Sequence, residues 1–144
     1  MSETLPSLCQ DYQLDAQIGF LMRRANQRHL ALFARHIPEL TATQFAALAR
    51  LCQGGEMSQN ALGRATAMDG ATIKGVVDRL RARGLVDASS DPSDQRRRVL
   101  RATAEGQALF ERLVPGALTA TRDTLAPLNA QEQHQFQSLL ARLL

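Results

Sequence analysis

The sequence predicts a mainly helical fold with one small β-hairpin, and three observations carry that expectation. Apolar residues recur at helical spacing along most of the chain. Strand character is confined to about residues 85–101. Between Ser58 and Thr103 the chain runs SQNALGRATAMDGATIKGVVDRLRARGLVDASSDPSDQRRRVLRAT: a short helix signal, a four-residue break, a longer helix signal, then a basic hairpin. That order is the winged helix-turn-helix pattern, which sets one helix into the DNA major groove. Six helices plus the hairpin wing are expected in all.

Residues 1–10 read as loosely ordered, and a long helix follows from about Asp11 to His36. Leu14, Ile18, Leu21, Met22, Ala25, Leu32 and Phe33 mark one apolar stripe on it. His29 and His36 fall within the stripe. Arg23, Arg24 and Gln27 lie outside it, and Asn26 and Arg28 border it. Pro38 ends the helix, because the residue before a proline leaves the helical region. Thr41 with Gln44 three residues on is a capping-box signature. It opens a helix over Thr43–Cys52 that buries Phe45, Leu48, Ala49 and Leu51, and Gly54 and Gly55 stop it. Ser58 caps the next, short helix, with Ala61, Leu62 and Ala65 inward.

The second helix of the pair has Asp69 to accept from the free N–H groups of its first turn. Ile73, Val76, Val77 and Leu80 face inward at helical spacing. Gly70, Ala71, Lys74, Gly75 and Asp78 are left on the outer face, with Thr72 near its edge. Small side chains there let the backbone come close to base edges. Arg79, Arg81 and Arg83 crowd the C-terminal half, where cations suit the helix dipole, and Gly84 supplies a left-handed terminator. A solvated amphipathic helix would look the same, so the hairpin carries the weight. Its turn is a cluster of turn formers, Ser90 to Asp94. Arg96, Arg97 and Arg98 sit just past the turn and Arg101 follows, placed to reach phosphates or a narrow minor groove. Asp94 stands two residues ahead of Arg96, in position to pair with it. From Lys74 to Arg101 eight basic residues face four aspartates, roughly +4, against +3 for the whole chain. The excess positive charge is thus concentrated in the proposed reading head, as expected of a DNA binder.

After the hairpin, Thr103 caps a fifth helix carrying Ala104, Ala108, Leu109, Leu113 and Ala117. Pro115 and Gly116 should kink or interrupt it. Pro127 marks the next break. Asn129 with Glu132 then opens a final helix whose face of Phe136, Leu139, Leu140, Leu143 and Leu144 needs a partner surface, either the chain's own core or a second copy.

The run Leu40-Thr41 to Gln44, the helix pair, Arg79-Leu80 to Gly84-Leu85-Val86, and Asp91-Pro92, Asp94 and Arg96 resembles the MarR family of bacterial transcriptional regulators over essentially the whole chain. The Asp91–Arg96 element followed by Thr103 and Gly106 is its most specific part, and the overall likeness is to members that regulate aromatic-acid or nicotinate catabolism. Two departures are visible. Gly75 stands where members often carry a larger polar residue on the reading helix, and Ala102 stands where a leucine is usual. The resemblance implies a single domain over residues 1–144, with a winged-helix DNA-binding part at 40–103 and dimerisation helices at 8–37 and 104–144. The first and last helices would interlock in a homodimer that binds a palindromic site on double-stranded DNA. The candidate DNA contacts are Ser58 and Gln59 at the start of the helix pair. Gly70, Ala71, Thr72, Lys74, Gly75 and Arg79 follow on the reading helix, and Arg96, Arg97 and Arg98 on the wing.

The resemblance also implies release from DNA when a small phenolic or aromatic acid binds between the dimer region and the reading head. His29 is a protonatable side chain in an apolar stripe, placed to meet a carboxylate or phenolate, with Asn26 and Arg28 assisting. Phe45, Leu48, Met57 and Met68 would supply the apolar wall, methionine adapting well to variable ligands. The alternative is a core histidine bonded to a neighbouring backbone carbonyl. A second alternative is a thiol switch, since some relatives sense peroxide through a cysteine near the start of the first helix. The matching position here falls near Gly19, while the chain's two cysteines are Cys9 and Cys52. A winged helix used only for protein contacts is a third reading.

Length and composition narrow the classes. A chain of 144 residues, 44% hydrophobic, suits one globular domain with one core. It carries no apolar run long enough for a membrane span, and its start lacks a signal peptide's basic and apolar regions. Two cysteines are too few for a disulfide framework and fit a reducing cytoplasm. A phosphate-cradling glycine loop, a nucleophile elbow and a metal-spaced His/Cys cluster are all missing, so neither an enzyme nor a metal or cofactor is expected.

Overall fold

A computed structural model describes residues 5–144. The elements in order are α1 (Leu5–Asp11), a 3-10 turn (Leu14–Ala16), α2 (Ile18–His36), α3 (Ala42–Gly54), β1 (Met57–Ser58), α4 (Gln59–Ala65), α5 (Gly70–Ala82), β2 (Val86–Asp91), β3 (Asp94–Ala102), α6 (Ala104–Leu125) and α7 (Ala130–Ala141). The described residues therefore hold seven α-helices where six were expected.

Five N-caps fall where the sequence puts them. The Thr41 hydroxyl accepts from the Gln44 N–H while the Gln44 side chain accepts from the Thr41 N–H. Asn129 and Glu132 repeat the device on α7. Ser58, Asp69 and Thr103 accept from Ala61, Thr72 and Gly106. Gly84 closes α5 at φ +72°, a conformation costly for a residue with a Cβ.

The core joins all the central elements. Phe33, Ile37, Leu48, Leu62, Ile73, Val77, Leu80, Val86, Leu100 and Phe110 are buried together. β1, β3 and β2 form an antiparallel sheet in that order, with Met57 opposite Leu100 and Val86 opposite Ala102. β1 lacks a sequence signal because two residues define no alternation; pairing to a strand some forty residues on creates it.

Four expectations need correction. Of residues 1–10, expected to be loose, 1–4 lie outside the described residues and 5–10 are helical, with Pro6 in the first turn, where its missing N–H costs nothing. The long first helix begins at Ile18, not Asp11, since Gln13 and Gln17 are extended and flank the 3-10 turn. Pro115 does not interrupt α6, which runs unbroken from Ala104 to Leu125. Packing along α2 outweighs the lost hydrogen bond, and Gly116 lies so close to α2 that a Cβ would stand 2.8 Å from the His36 carbonyl oxygen. Finally, most of the apolar stripe on the first helix is not core in a single chain: Phe33 is buried, but Ile18 is 63% exposed, and Leu14, Leu21 and Met22 are exposed too. The α7 face is likewise open, with Phe136, Leu139, Leu140 and Leu143 exposed. Between them α2 and α7 form an apolar groove of about 550 Å³ lined by Ile18, Leu21, Met22, Phe136, Leu139 and Leu143.

Candidate nucleic-acid interface and effector cavity

α5 is held by four buried side chains, Ile73, Val76, Val77 and Leu80, against the core. This turns Gly70, Ala71, Thr72, Lys74 and Asp78 outward, all exposed, with Gly75 half-buried and Arg79 exposed. A Cβ on Gly70 or Gly75 would meet nothing within 4 Å, so the outer backbone of α5 is bare. Lys74 Nζ lies 2.8 Å from Asp78 Oδ2, an exposed pair one helical turn apart. That hydrogen bond holds the Asp78 carboxyl below the usual carboxylate range, with the Lys74 and Arg81 charges adding to it. The turn before α5 puts Ala67 at φ +55°.

The wing is stiffened at its tip. Asp91 Oδ1 accepts from the Ser93 N–H at 2.9 Å and from the Ser93 hydroxyl at 2.7 Å. These bonds hold the Asp91 carboxyl low, and the Arg97 charge adds to them. Asp94 accepts from the Arg96 backbone N–H at 3.0 Å rather than pairing with its guanidinium, the role expected from sequence. Arg96, Arg97 and Arg98 are exposed and make no ion pair among the described residues. Arg83 and Arg101 are tied back into the protein, to the Glu39 carbonyl at 2.6 Å and to Glu56 at 3.7 Å.

One surface connects the two parts. A groove of about 410 Å³ is walled by Ser58, Gln59, Asn60 and Arg64 on one side and Arg96, Arg97 and Arg98 on the other. Asn60 and Arg64 also line a smaller recess with Met68, Gly70 and Ile73 at the start of α5. Wing arginines, α4 and the N-terminal turn of α5 are therefore continuous. Asn60 and Arg64 were missed from the sequence, although both follow Ser58 on one short helix and Arg64 adds a cation.

The effector candidates are only partly gathered. His29 is half-buried and lines a cavity of about 180 Å³ with Thr121, Thr124, Leu125, Phe136, Gln137 and Leu140, at the junction of α2, α6 and α7. Its Nδ1 is 2.8 Å from Thr124 Oγ1, a side chain rather than the backbone carbonyl of the core-histidine alternative. Arg28 does not face this cavity as a free cation. Its two terminal nitrogens donate to the Thr124 and Asp123 carbonyl oxygens at 2.7 and 2.9 Å, satisfying the end of α6. His36, which the sequence placed in the apolar stripe, meets Asp123 at 2.7 Å. Asn26 is exposed. Phe45 packs between Phe33, edge-on, and Phe110, tilted, and Leu48 is buried in the core. Met57 sits on β1 and Met68 beside α5. None of these four lines the His29 cavity, because Leu48 lies in the hydrophobic core and Phe45, Met57 and Met68 pack against it.

Cys9 is exposed on α1 and Cys52 half-buried on α3. Burial, with the Glu111 charge behind it, pushes the Cys52 thiol up. This is opposite to the shift that makes a reactive thiolate. Among the described residues no helix is long and apolar enough to cross a membrane.

A bare-faced helix docked beside an arginine-rich hairpin defines a winged-helix module of the nucleic-acid-binding class. A model described as the MarR family matches residues 39–97. Over 135 residues the chain is 40% identical to the HTH-type transcriptional repressor NicR of Pseudomonas putida, covering 92% of this chain and 85% of that one. A probable transcriptional regulator from Pseudomonas aeruginosa superposes with a TM-score of 0.89 at 53% identity, over 92% of this chain and all of the other. BpsR of Bordetella bronchiseptica, whose DNA binding is regulated by 6-hydroxynicotinic acid, superposes with a TM-score of 0.88 at 42% identity, over 92% and 96% of the two chains. The chain belongs to the MarR family of transcriptional regulators.

Proposed function

We propose that two copies of this chain grip one palindromic operator in the cytoplasm as a repressor, not as an enzyme, and that a small aromatic acid at the His29 cavity releases it. The observation that carries the DNA half is the unbroken surface from Arg96–Arg98 across Asn60 and Arg64 to the first turn of α5. On this reading α5 enters the major groove with Ala71, Thr72, Lys74 and the bare Gly70 and Gly75 toward the bases. Arg79, Ser58, Gln59 and the wing arginines hold backbone or minor groove. Residues 40–103 form the reading part, and 8–37 with 104–144 form the dimer part. The α2–α7 groove supports a second copy, since its exposed leucines, isoleucine and phenylalanine would otherwise face water. Two reading helices one turn of DNA apart suit a palindrome. Ligand-controlled DNA binding by BpsR and the repressor function of NicR support the effector half. To release DNA the ligand must bind the free dimer more tightly than the operator-bound one.

A gel-shift titration on the chain's own promoter region at several salt concentrations tests this. Affinity should fall steeply with salt, and Arg97→Ala should lower the slope by about one unit. No shift at low salt would reject DNA binding in favour of a protein-contact module.

A further inference from the structure

The hydroxyl of Thr124 carries one proton but stands between two neighbours. Its Oγ1 is 2.7 Å from the Ala120 carbonyl oxygen and 2.8 Å from His29 Nδ1. A carbonyl can only accept, so the hydroxyl proton goes to Ala120 and Oγ1 is left to accept from the ring. His29 must then carry its proton on Nδ1. Its Nε2 has no hydrogen-bond partner among the described residues, and in the neutral ring that atom holds a lone pair. The backbone at Thr124 is itself held. Arg28 donates to its carbonyl and that of Asp123, and His36 meets the Asp123 carboxylate, so three contacts tie the end of α6 to α2.

The ring borders the cavity of about 180 Å³ at α2, α6 and α7. A cavity of roughly 150 Å³ holds one benzene ring. Leu125, Phe136 and Leu140 offer apolar wall, and Thr121 and Gln137 offer polar edge.

We propose that Thr124 is a positioning residue of the effector cavity, holding His29 as the Nδ1–H tautomer so that Nε2 accepts from a hydroxyl or ring N–H of an aromatic acid. The proposal rests on the effector reading above and narrows it: ligands that donate a hydrogen bond are preferred over the bare aromatic carboxylate. A site with an acceptor in place leaves it unpaired when the donor is missing, which costs affinity.

The test has two arms on the full chain. Long-range nitrogen–proton NMR reads the ring nitrogens directly, with the His29 signals assigned by their loss in His29→Gln. Nδ1 is expected to be the protonated nitrogen in the wild type and in Thr124→Ser, but not in Thr124→Val, which has no acceptor there. Calorimetric titration then compares 6-hydroxynicotinate with nicotinate and 4-hydroxybenzoate with benzoate. The wild type and Thr124→Ser should prefer the donor-bearing member by about fivefold. Thr124→Val should lose most of that preference while keeping its circular dichroism spectrum. A wild-type ring protonated on Nε2 overturns the proposal whatever the ligands do, as does undiminished discrimination by Thr124→Val. If none of the four ligands binds, the effector reading itself falls and the proposal with it, even with the proton found on Nδ1.

Discussion

Among the glycines of the described residues, Gly106 is where an added Cβ would meet the closest backbone atom, so Gly106→Ala should be severe. Gly106 is the third residue of α6, and its N–H donates to the capping hydroxyl of Thr103 at 3.0 Å. A Cβ there would lie 2.1 Å from the Leu85 carbonyl oxygen and 3.0 Å from its carbon, both backbone atoms that no rotamer change can move. Relief needs the start of α6 and the Gly84–Leu85 segment to part by about 1 Å, the gap between 2.1 Å and the 3.0 Å limit of real contacts. That motion stretches two bonds that hold the wing to α6: Thr103 N–H to Leu85 O at 3.0 Å and Thr103 hydroxyl to Gly84 O at 2.7 Å. Losing them costs about 1 kcal/mol each, and overpacking adds about 1–3 kcal/mol. The helix preference for alanine returns up to about 1 kcal/mol. The net destabilisation is therefore about 2–4 kcal/mol, or a fall in Tm of about 6–12 °C for a chain of this size. Thermal melts by circular dichroism, at one fixed protein concentration because association shifts Tm, read it. A Tm equal to or above the wild type's would mean that helix propensity dominates and that α6 does not approach Leu85 as closely as described.

Gly75→Ala is the converse: its Cβ meets open space, so the fold should gain up to about 1 kcal/mol while operator affinity in a gel shift falls, if α5 lies backbone-first on the bases. The Asp69 carboxyl is held below its usual range, first by the Thr72 N–H. Its stabilising effect is thus complete above the unfolded carboxylate value of about 3.9 and is lost as pH falls through the lower folded value. Asp69→Asn keeps a cap without the titration, so its Tm deficit at neutral pH should narrow below about pH 4; a deficit that stays constant through the acid limb would show that the charge contributes nothing. Because burial keeps Cys52 as a thiol, peroxide treatment that leaves Cys52 unmodified in mass spectra should leave operator binding intact, and rapid oxidation of Cys52 with loss of binding would restore the redox reading.

Much of the candidate DNA surface was legible because its determinants are local. Ser58, Asp69 and Thr103 act on backbone N–H groups three residues away. The inward row of α5 repeats within a single helix, and the wing arginines are adjacent in sequence. The His29 cavity was not legible in the same way. His29 stands out as a polar residue in an apolar stripe, but its partner Thr124 lies 95 residues further on, and nothing in the spacing announces it. Phe45, Leu48, Met57 and Met68 have the right chemistry for a pocket wall, yet the core and the sheet claim them.

The same division runs through the whole chain. The five side-chain-capped helix starts, the left-handed stop at Gly84 and the charge of the hairpin were determined by residues within a turn or two of one another, where the chemistry of neighbours settles the backbone. Tertiary structure decided that Pro115 sits inside an unbroken helix, that Met57 and Ser58 become a strand, and that Arg28 donates to the last carbonyls of α6. Each of those outcomes depends on a surface brought up from a distant segment, whose packing outweighs a local preference of a few kcal/mol.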